Sequence, residues 1–172
     1  MKYYISKGKL TKDGKKYNYE YMDLFGLLLF YKLNEKLGKS FLNYMKSTRS
    51  PNFELIDLTI EHFISMQDKY ENTFFLLVHN NNNEIISTIR WNVKKQSVYI
   101  SCVATTQNYR RQGFCTSSVK KMISISKKFN KTKNFKLEVY IDNINAIRCY
   151  EHVGFKIKKT IKDTRPYHLM VL

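Results

Sequence analysis

The sequence predicts an α/β fold of the α+β kind, a mixed and mostly antiparallel sheet flanked by helices. Two observations carry this expectation: three strand-length runs follow one another over residues 73–105, and after them helix-period and strand-period segments alternate to residue 172. The length of 172 residues suits a single domain over 1–172, with a divergent hairpin and helical part at 1–52 and the core at 53–172.

At the start of the chain, Tyr3, Ile5 and Leu10 around Gly8 and Gly14 fit a hairpin. From Tyr21 to Met45, apolar residues recur at helical spacing through Leu24, Leu27, Leu28, Tyr31, Leu37, Phe41 and Tyr44, and Gly38 divides two helices. Ser50-Pro51 punctuates the chain, Phe53–Leu58 alternates as a strand, and Thr59 caps a helix to about Tyr70. Strands Thr73–His79, Glu84–Val93 and Ser97–Thr105 then form an antiparallel meander, turning at Asn80–Asn83 and at Lys94-Lys95-Gln96. In the helix Thr116–Asn130, Val119, Met122, Ile123 and Ile125 are the apolar members, while Lys120, Lys121, Lys127 and Lys128 point largely outward. A strand at Phe135–Ile141 precedes a helix at Asn143–Val153, which Gly154 ends by tolerating a left-handed backbone. Phe155–Ile161 and Tyr167–Leu172 are the closing strands.

Hydrophobic residues at 43% with few Gly and Pro exclude a disordered or fibrous chain. The net charge of +16 has two readings, a polyanion-binding surface or the lysine and asparagine drift of an AT-rich coding sequence, with the drift favoured. Cys102, Cys115 and Cys149 are odd in number and lack CxxC spacing, so neither a disulfide framework nor a thiolate metal site is expected. His62, His79, His152 and His168 share no ligand spacing either and are read as surface or packing residues. The opening Met1-Lys2-Tyr3-Tyr4 and the short apolar run Leu24–Tyr31 suit a cytoplasmic, soluble chain with no membrane partner, as a monomer or homodimer.

Chemistry concentrates between a strand end and a helix start, in Val103-Ala104-Thr105 and the segment Arg110-Arg111-Gln112-Gly113-Phe114-Cys115-Thr116. Unpaired amides at a helix amino terminus carry partial positive charge, Gly113 allows close backbone approach, and Arg110 and Arg111 add fixed cations, a combination suited to a pyrophosphate. Arg110, Gly113 and Cys115 occupy the positions of the Gln/Arg-x-x-Gly-x-Gly/Ala signature, with Cys115 in place of the usual small residue and Gln107 where many members carry Pro. A second stretch, Leu137-Glu138-Val139 followed by Asn143, Ala146, Tyr150 and Gly154-Phe155, supplies a further pattern in the same order. On these two motifs, residues 73–172 resemble the GNAT superfamily of acyl-CoA-dependent N-acetyltransferases.

The resemblance implies acetyl-CoA as cofactor and an amine as acceptor. It also implies a sheet splayed between the family's fourth and fifth strands, here Ser97–Thr105 and Phe135–Ile141, with pantetheine between them and a bulge near Cys102 or Val103 freeing backbone groups. Val103, Ala104 and Thr105, the 110–116 segment, Asn143, Ala146 and Tyr150 are the implied cofactor contacts. A backbone amide near Val103 would polarise the thioester. Tyr150 stands where the family often has its general acid, and a phenol, ordinarily ionising near 10, keeps a proton to hand to a thiolate. The glutamate that some members place on the fourth strand aligns near Ser97, leaving Glu138, in a spacing like that of the ribosomal-protein and N-terminal-amine branch, as candidate base or structural residue. Three function classes stay open: an N-acetyltransferase acting on a protein or small amine, a GNAT-fold protein without turnover, and a nucleic-acid binder using its basic surface. Asp23, Glu35, Glu54, Asp57 and Glu61 are candidates to line an acceptor groove.

Overall fold

Asp13 and Gly14 both take positive φ, 48° and 73°, the backbone sign that a two-residue type I′ hairpin turn requires. Strands β1 (Ile5–Lys12) and β2 (Lys15–Asp23) therefore run antiparallel from that turn, with Lys12 opposite Lys15. This computed structural model describes residues 5–23, 26, 27, 36, 40, 72–95, 97–131 and 134–172.

The hairpin expectation holds, but the expected helix beginning at Tyr21 is corrected. Tyr21, Met22 and Asp23 are the end of β2 and pair with Leu76, Phe75 and Phe74 of β3 (Thr73–His79). A short apolar run fits either period, and the ladder decides: Tyr21 turns to the core and stacks on Trp91 at 5.5 Å. Gly26, Leu27, Lys36 and Ser40 are helical, and the Gly26 amide donates to the Asp23 carboxylate at 2.7 Å. Most of the expected helical pair up to Met45, the strand Phe53–Leu58, the helix Thr59–Tyr70, and with them Glu35, Glu54, Asp57, Glu61 and His62 lie outside the described residues.

The meander continues through β4 (Ile85–Lys94) and β5 (Ser97–Thr105). β4 starts one residue later than expected, because the Asn80 side-chain carbonyl accepts the amides of Asn82 and Glu84 at 2.9 Å each and holds Glu84 in the turn. Helix α1 (Phe114–Asn130), strand β6 (Asn134–Tyr140), helix α2 (Ile144–Val153) and strands β7 (Lys156–Ile161) and β8 (Tyr167–Val171) complete the order. Asn143 caps α2 by accepting the Ala146 amide on its side chain, and Gly154 closes it at φ 115°.

Among the described residues eight strands form one sheet in the order β1-β2-β3-β4-β5-β6-β8-β7, parallel at β5–β6 and antiparallel elsewhere. The core gathers on one face, where Val98, Ile100, Phe135, Leu137, Val139 and Met170 from the strands meet Val119, Met122 and Ile123 from α1 and Ile147 and Tyr150 from α2. His79 is buried, its Nε2 3.5 Å from a Glu20 carboxylate oxygen. No helix among the described residues is long and apolar enough to cross a membrane.

One sequence expectation about sulfur is overturned. Cys115, in the first turn of α1, and Cys149, in α2, are joined in a disulfide with their Cα atoms 6.2 Å apart. The packing of α1 beside α2 brings these residues together across 34 positions of chain, a proximity that cysteine spacing alone does not reveal. Cys102 is the free and exposed cysteine.

Candidate functional site

β5 and β6 begin as a parallel pair, Ser97 beside Asn134 through Ile100 beside Leu137, and the pairing ends there. Beyond Ile100 the two strands part, as the resemblance implied. On its other edge β5 stays paired with β4, but the register slips: Ser101 faces Arg90 and Ala104 faces Thr88, so Cys102 and Val103 together oppose Ile89. That is a β-bulge at the expected position, and Cys102 takes φ 50° within it. An αL backbone at a cysteine is uncommon, and it occurs where the strand turns from the ladder toward the split.

The cradle follows directly. After β5 a short 3-10 turn, Gln107–Tyr109, leads to Arg111 at φ 58° and Gly113 at φ 76°, which starts α1. The Ser117 amide makes the bond to the Gly113 carbonyl at 3.1 Å, so the amides of Phe114, Cys115 and Thr116 come before the helical ladder. Gly113 supplies no capping side chain, and the first turn of α1 holds no acidic residue. Such an end is electropositive and open to an anion, and it fits a pyrophosphate.

Each side chain of this segment has a definite place. Phe114 is buried, edge-on to Tyr17 at 4.9 Å and to Tyr109 at 5.5 Å, so only its backbone faces the cradle. Arg110 and Arg111 are exposed, and the Arg110 Nε donates to the Thr105 carbonyl at 3.1 Å, holding the guanidinium over the loop. Gln112 braces the turn by donating to the Asn108 carbonyl at 2.7 Å. Cys115 is committed to the disulfide, and the Thr116 hydroxyl lies 3.8 Å from the Cys149 sulfur. Val103, Ala104 and Thr105 are half-buried at the end of β5. Asn143 and Ala146 meet each other in the cap of α2.

Tyr150 is buried in α2, packed edge-on against Phe155 at 6.2 Å. Burial pushes its phenol up to about 12, and the charge that Cys102 carries when ionised adds to the shift. Glu138 is brought to the same strand split but to the opposite face. It alternates with the buried Leu137 and Val139, is exposed, and shares no hydrogen bond with Tyr150 among the described residues. Its partner is Tyr99 of β5, whose phenol is pushed well above its usual range by burial first, then by a hydrogen bond to the Glu138 carboxylate and that carboxylate's charge.

Two braces escaped the sequence reading. Tyr109 donates to Glu84 at 3.0 Å and accepts from the Asn80 amide at 3.2 Å, so the Asn80–Asn83 turn supports the cradle. Tyr99 is the second, and strand alternation signals its face: Tyr99 and Glu138 both occupy the non-core positions of adjoining strands. A third residue, Lys12, reaches the cradle from the amino-terminal hairpin, with its Nζ 5.4 Å from the Phe114 ring centre.

A splayed mixed sheet thus carries a bulged strand that leads into an uncapped, cation-flanked helix end. The acetyltransferase (GNAT) family profile matches residues 41–155, and the chain belongs to that family. No curated protein matches the chain. Its fold is similar to that of a ribosomal-protein alanine acetyltransferase from Vibrio fischeri, with a TM-score of 0.69 at 12% identity over 96% of both chains. A ribosomal-protein α-N-acetyltransferase in complex with coenzyme A gives 0.63 at 10% identity over 96% of this chain and 97% of that one. A spermidine N-acetyltransferase from Vibrio cholerae gives 0.63 at 13% identity over 90% and 93%.

Proposed function

We propose that this chain is an N-acetyltransferase that moves the acetyl group of acetyl-CoA to a primary amine, on a protein or a small molecule, by direct attack in a ternary complex. The observation that carries the reading is the open amino end of α1, free of acidic residues and of a cap, reached directly from the bulged strand at the sheet split. The backbone of residues 113–116 and the guanidinium groups of Arg110 and Arg111 would hold the pyrophosphate. Val103, Ala104 and Thr105 would line the pantetheine arm, with Asn143, Ala146 and Tyr150 on its far side.

In the reaction the amine nitrogen forms a bond to the thioester carbon, the carbon–sulfur bond breaks, and the thiolate takes the Tyr150 proton. A phenol raised to about 12 is protonated at neutral pH and ready to donate. The amine's surplus proton goes to Glu138, whose exposed carboxylate faces the other side of the split and is held by Tyr99. Two structural neighbours are enzymes named for ribosomal-protein and spermidine acetylation, so both acceptor classes belong in the assay.

The test joins binding to turnover. Coenzyme A is expected to raise the melting temperature and to appear bound in native mass spectrometry. Acetyl-CoA with a panel of an alanine-terminated peptide, spermidine and small monoamines is expected to release free thiol with at least one acceptor. A wild-type protein that neither binds coenzyme A nor is stabilised by it overturns the proposal. Binding with no thiol release across the panel favours a family member without turnover.

A further inference from the structure

We infer that Lys12, carried in by the β1–β2 hairpin, is a further cationic contact for the pyrophosphate of coenzyme A, beyond the loop that the family signature describes. The inference rests on the acetyl-CoA reading above. Lys12 is the last residue of β1, and the Asp13-Gly14 turn begins immediately after it. The hairpin is fastened to the amino-terminal half of α1, since Tyr17 packs edge-on to Phe114 and Lys121 lies 4.6 Å over the Tyr19 ring. The Lys12 side chain is only 14% exposed. A Cβ added at Gly113 would stand 3.2 Å from its Cε and 3.6 Å from its Nζ, so the ammonium lies directly against the residue that starts the helix.

That is the wrong end of a helix for a cation. The peptide dipoles make the amino end positive, and lysines are normally stabilising at the carboxyl end, where α1 indeed has Lys127 and Lys128. Here the ammonium joins the unladdered amides of Phe114, Cys115 and Thr116 and the exposed Arg110 and Arg111, with no acidic residue in the first turn. Among the described residues its acidic partner is Asp13, whose own side chain is 82% exposed. A largely desolvated cation against a positive helix end, in a loop that also carries two guanidinium groups, is compatible once an anion of more than one charge binds there, as a pyrophosphate does.

The experiment measures the coenzyme A dissociation constant by titration calorimetry at low and high salt for the wild type, Lys12→Met, Lys12→Arg and Asp13→Asn. Lys12→Met keeps the methylene packing over Gly113 and is expected to weaken binding about tenfold and to flatten its salt dependence. Lys12→Arg is expected to stay within about threefold of wild type, because the charge is kept. Asp13→Asn removes the competing carboxylate and is expected to tighten binding about threefold. Lys12→Met binding within about twofold of wild type overturns the inference, as does Lys12→Arg binding as weakly as Lys12→Met, which would make the residue a packing element. Should Lys12→Met fail to fold, Asp13→Asn decides alone: unchanged or weaker affinity overturns it. A wild type that binds no coenzyme A removes the acetyltransferase reading itself, whereas normal wild-type binding with an indifferent Lys12 removes this inference only.

Discussion

The two faces of the sheet at the β5–β6 split are built by different rules. On the helix-covered face, Ile100, Leu137, Val139, Tyr150 and Phe155 are closed into the core, and the cradle beside them is made from consecutive residues acting mainly through backbone. On the other face Tyr99 and Tyr140 are 38% and 44% exposed, Glu138 is exposed beside them, and each comes from an alternate strand position. Recognition of the cofactor thus depends on chain path. Under the proposed function, recognition of the acceptor would depend on a few side chains, which can change without disturbing the fold.

The largest effect is expected from the buried face. Tyr150→Phe keeps the ring against Phe155 and removes the proton, so kcat is expected to fall by about 100-fold or more while the coenzyme A dissociation constant stays within about twofold. A variant with full turnover would remove Tyr150 from the mechanism. The same residue has a pH signature. Because its folded-state pKa is raised to about 12, the stability it contributes is complete below about 10 and is lost as pH rises through 12. Phenolate absorbance near pH 10 should therefore be the same for folded wild type and folded Tyr150→Phe, whereas the two unfolded chains should differ by one ionising tyrosine.

Next comes the link between the two helices of that face. Cys149→Ser, or reduction, opens a loop of 34 residues and is expected to cost about 2–4 kcal/mol in urea unfolding, by the loop-closure argument. It should also loosen α1 against α2 and weaken coenzyme A binding. Equal stability with and without reductant would show that the bridge restrains nothing.

The open face should respond more gently and more selectively. Glu138→Gln is expected to lower kcat/KM by about tenfold and flatten its acidic limb, leaving stability and coenzyme A affinity unchanged. Tyr99→Phe, which takes away the hydroxyl bonded to that carboxylate, is expected to lower kcat/KM by a smaller factor of about fivefold. If either variant also destabilised the fold by more than about 1 kcal/mol, the distinction between a structural and a substitutable face would fail.

The legible parts of the sequence were those in which function is written locally. The meander, both described helices and the closing strands follow from periodicity, and the cradle from the run Arg110–Thr116, because amides at a helix start need no distant partner. The bulge at Cys102 and Val103 was legible only through the resemblance. What escaped required tertiary contact. Tyr21 carried both periods, and its stacking on Trp91 settled it as strand. Cys115 and Cys149 meet because two helices pack side by side, and Lys12 meets Gly113 because a hairpin folds over α1. The Asn80–Asn83 run, which composition suggests is drift, contains one asparagine that organises a turn and braces Tyr109.

The strand order gives part of the basic charge a use that involves no ligand. Among the described residues the two outermost strands, β1 and β7, expose Lys7 and Lys9 at one margin and Lys156, Lys158 and Lys159 at the other. An open margin of a sheet offers unpaired amides and carbonyls to any extended chain, and rows of ammonium groups there make a second molecule of the same kind a poor fit. In a protein this rich in tyrosine and isoleucine, lysines in those places would disfavour strand-to-strand addition of an identical copy, a use of positive charge that needs no polyanion.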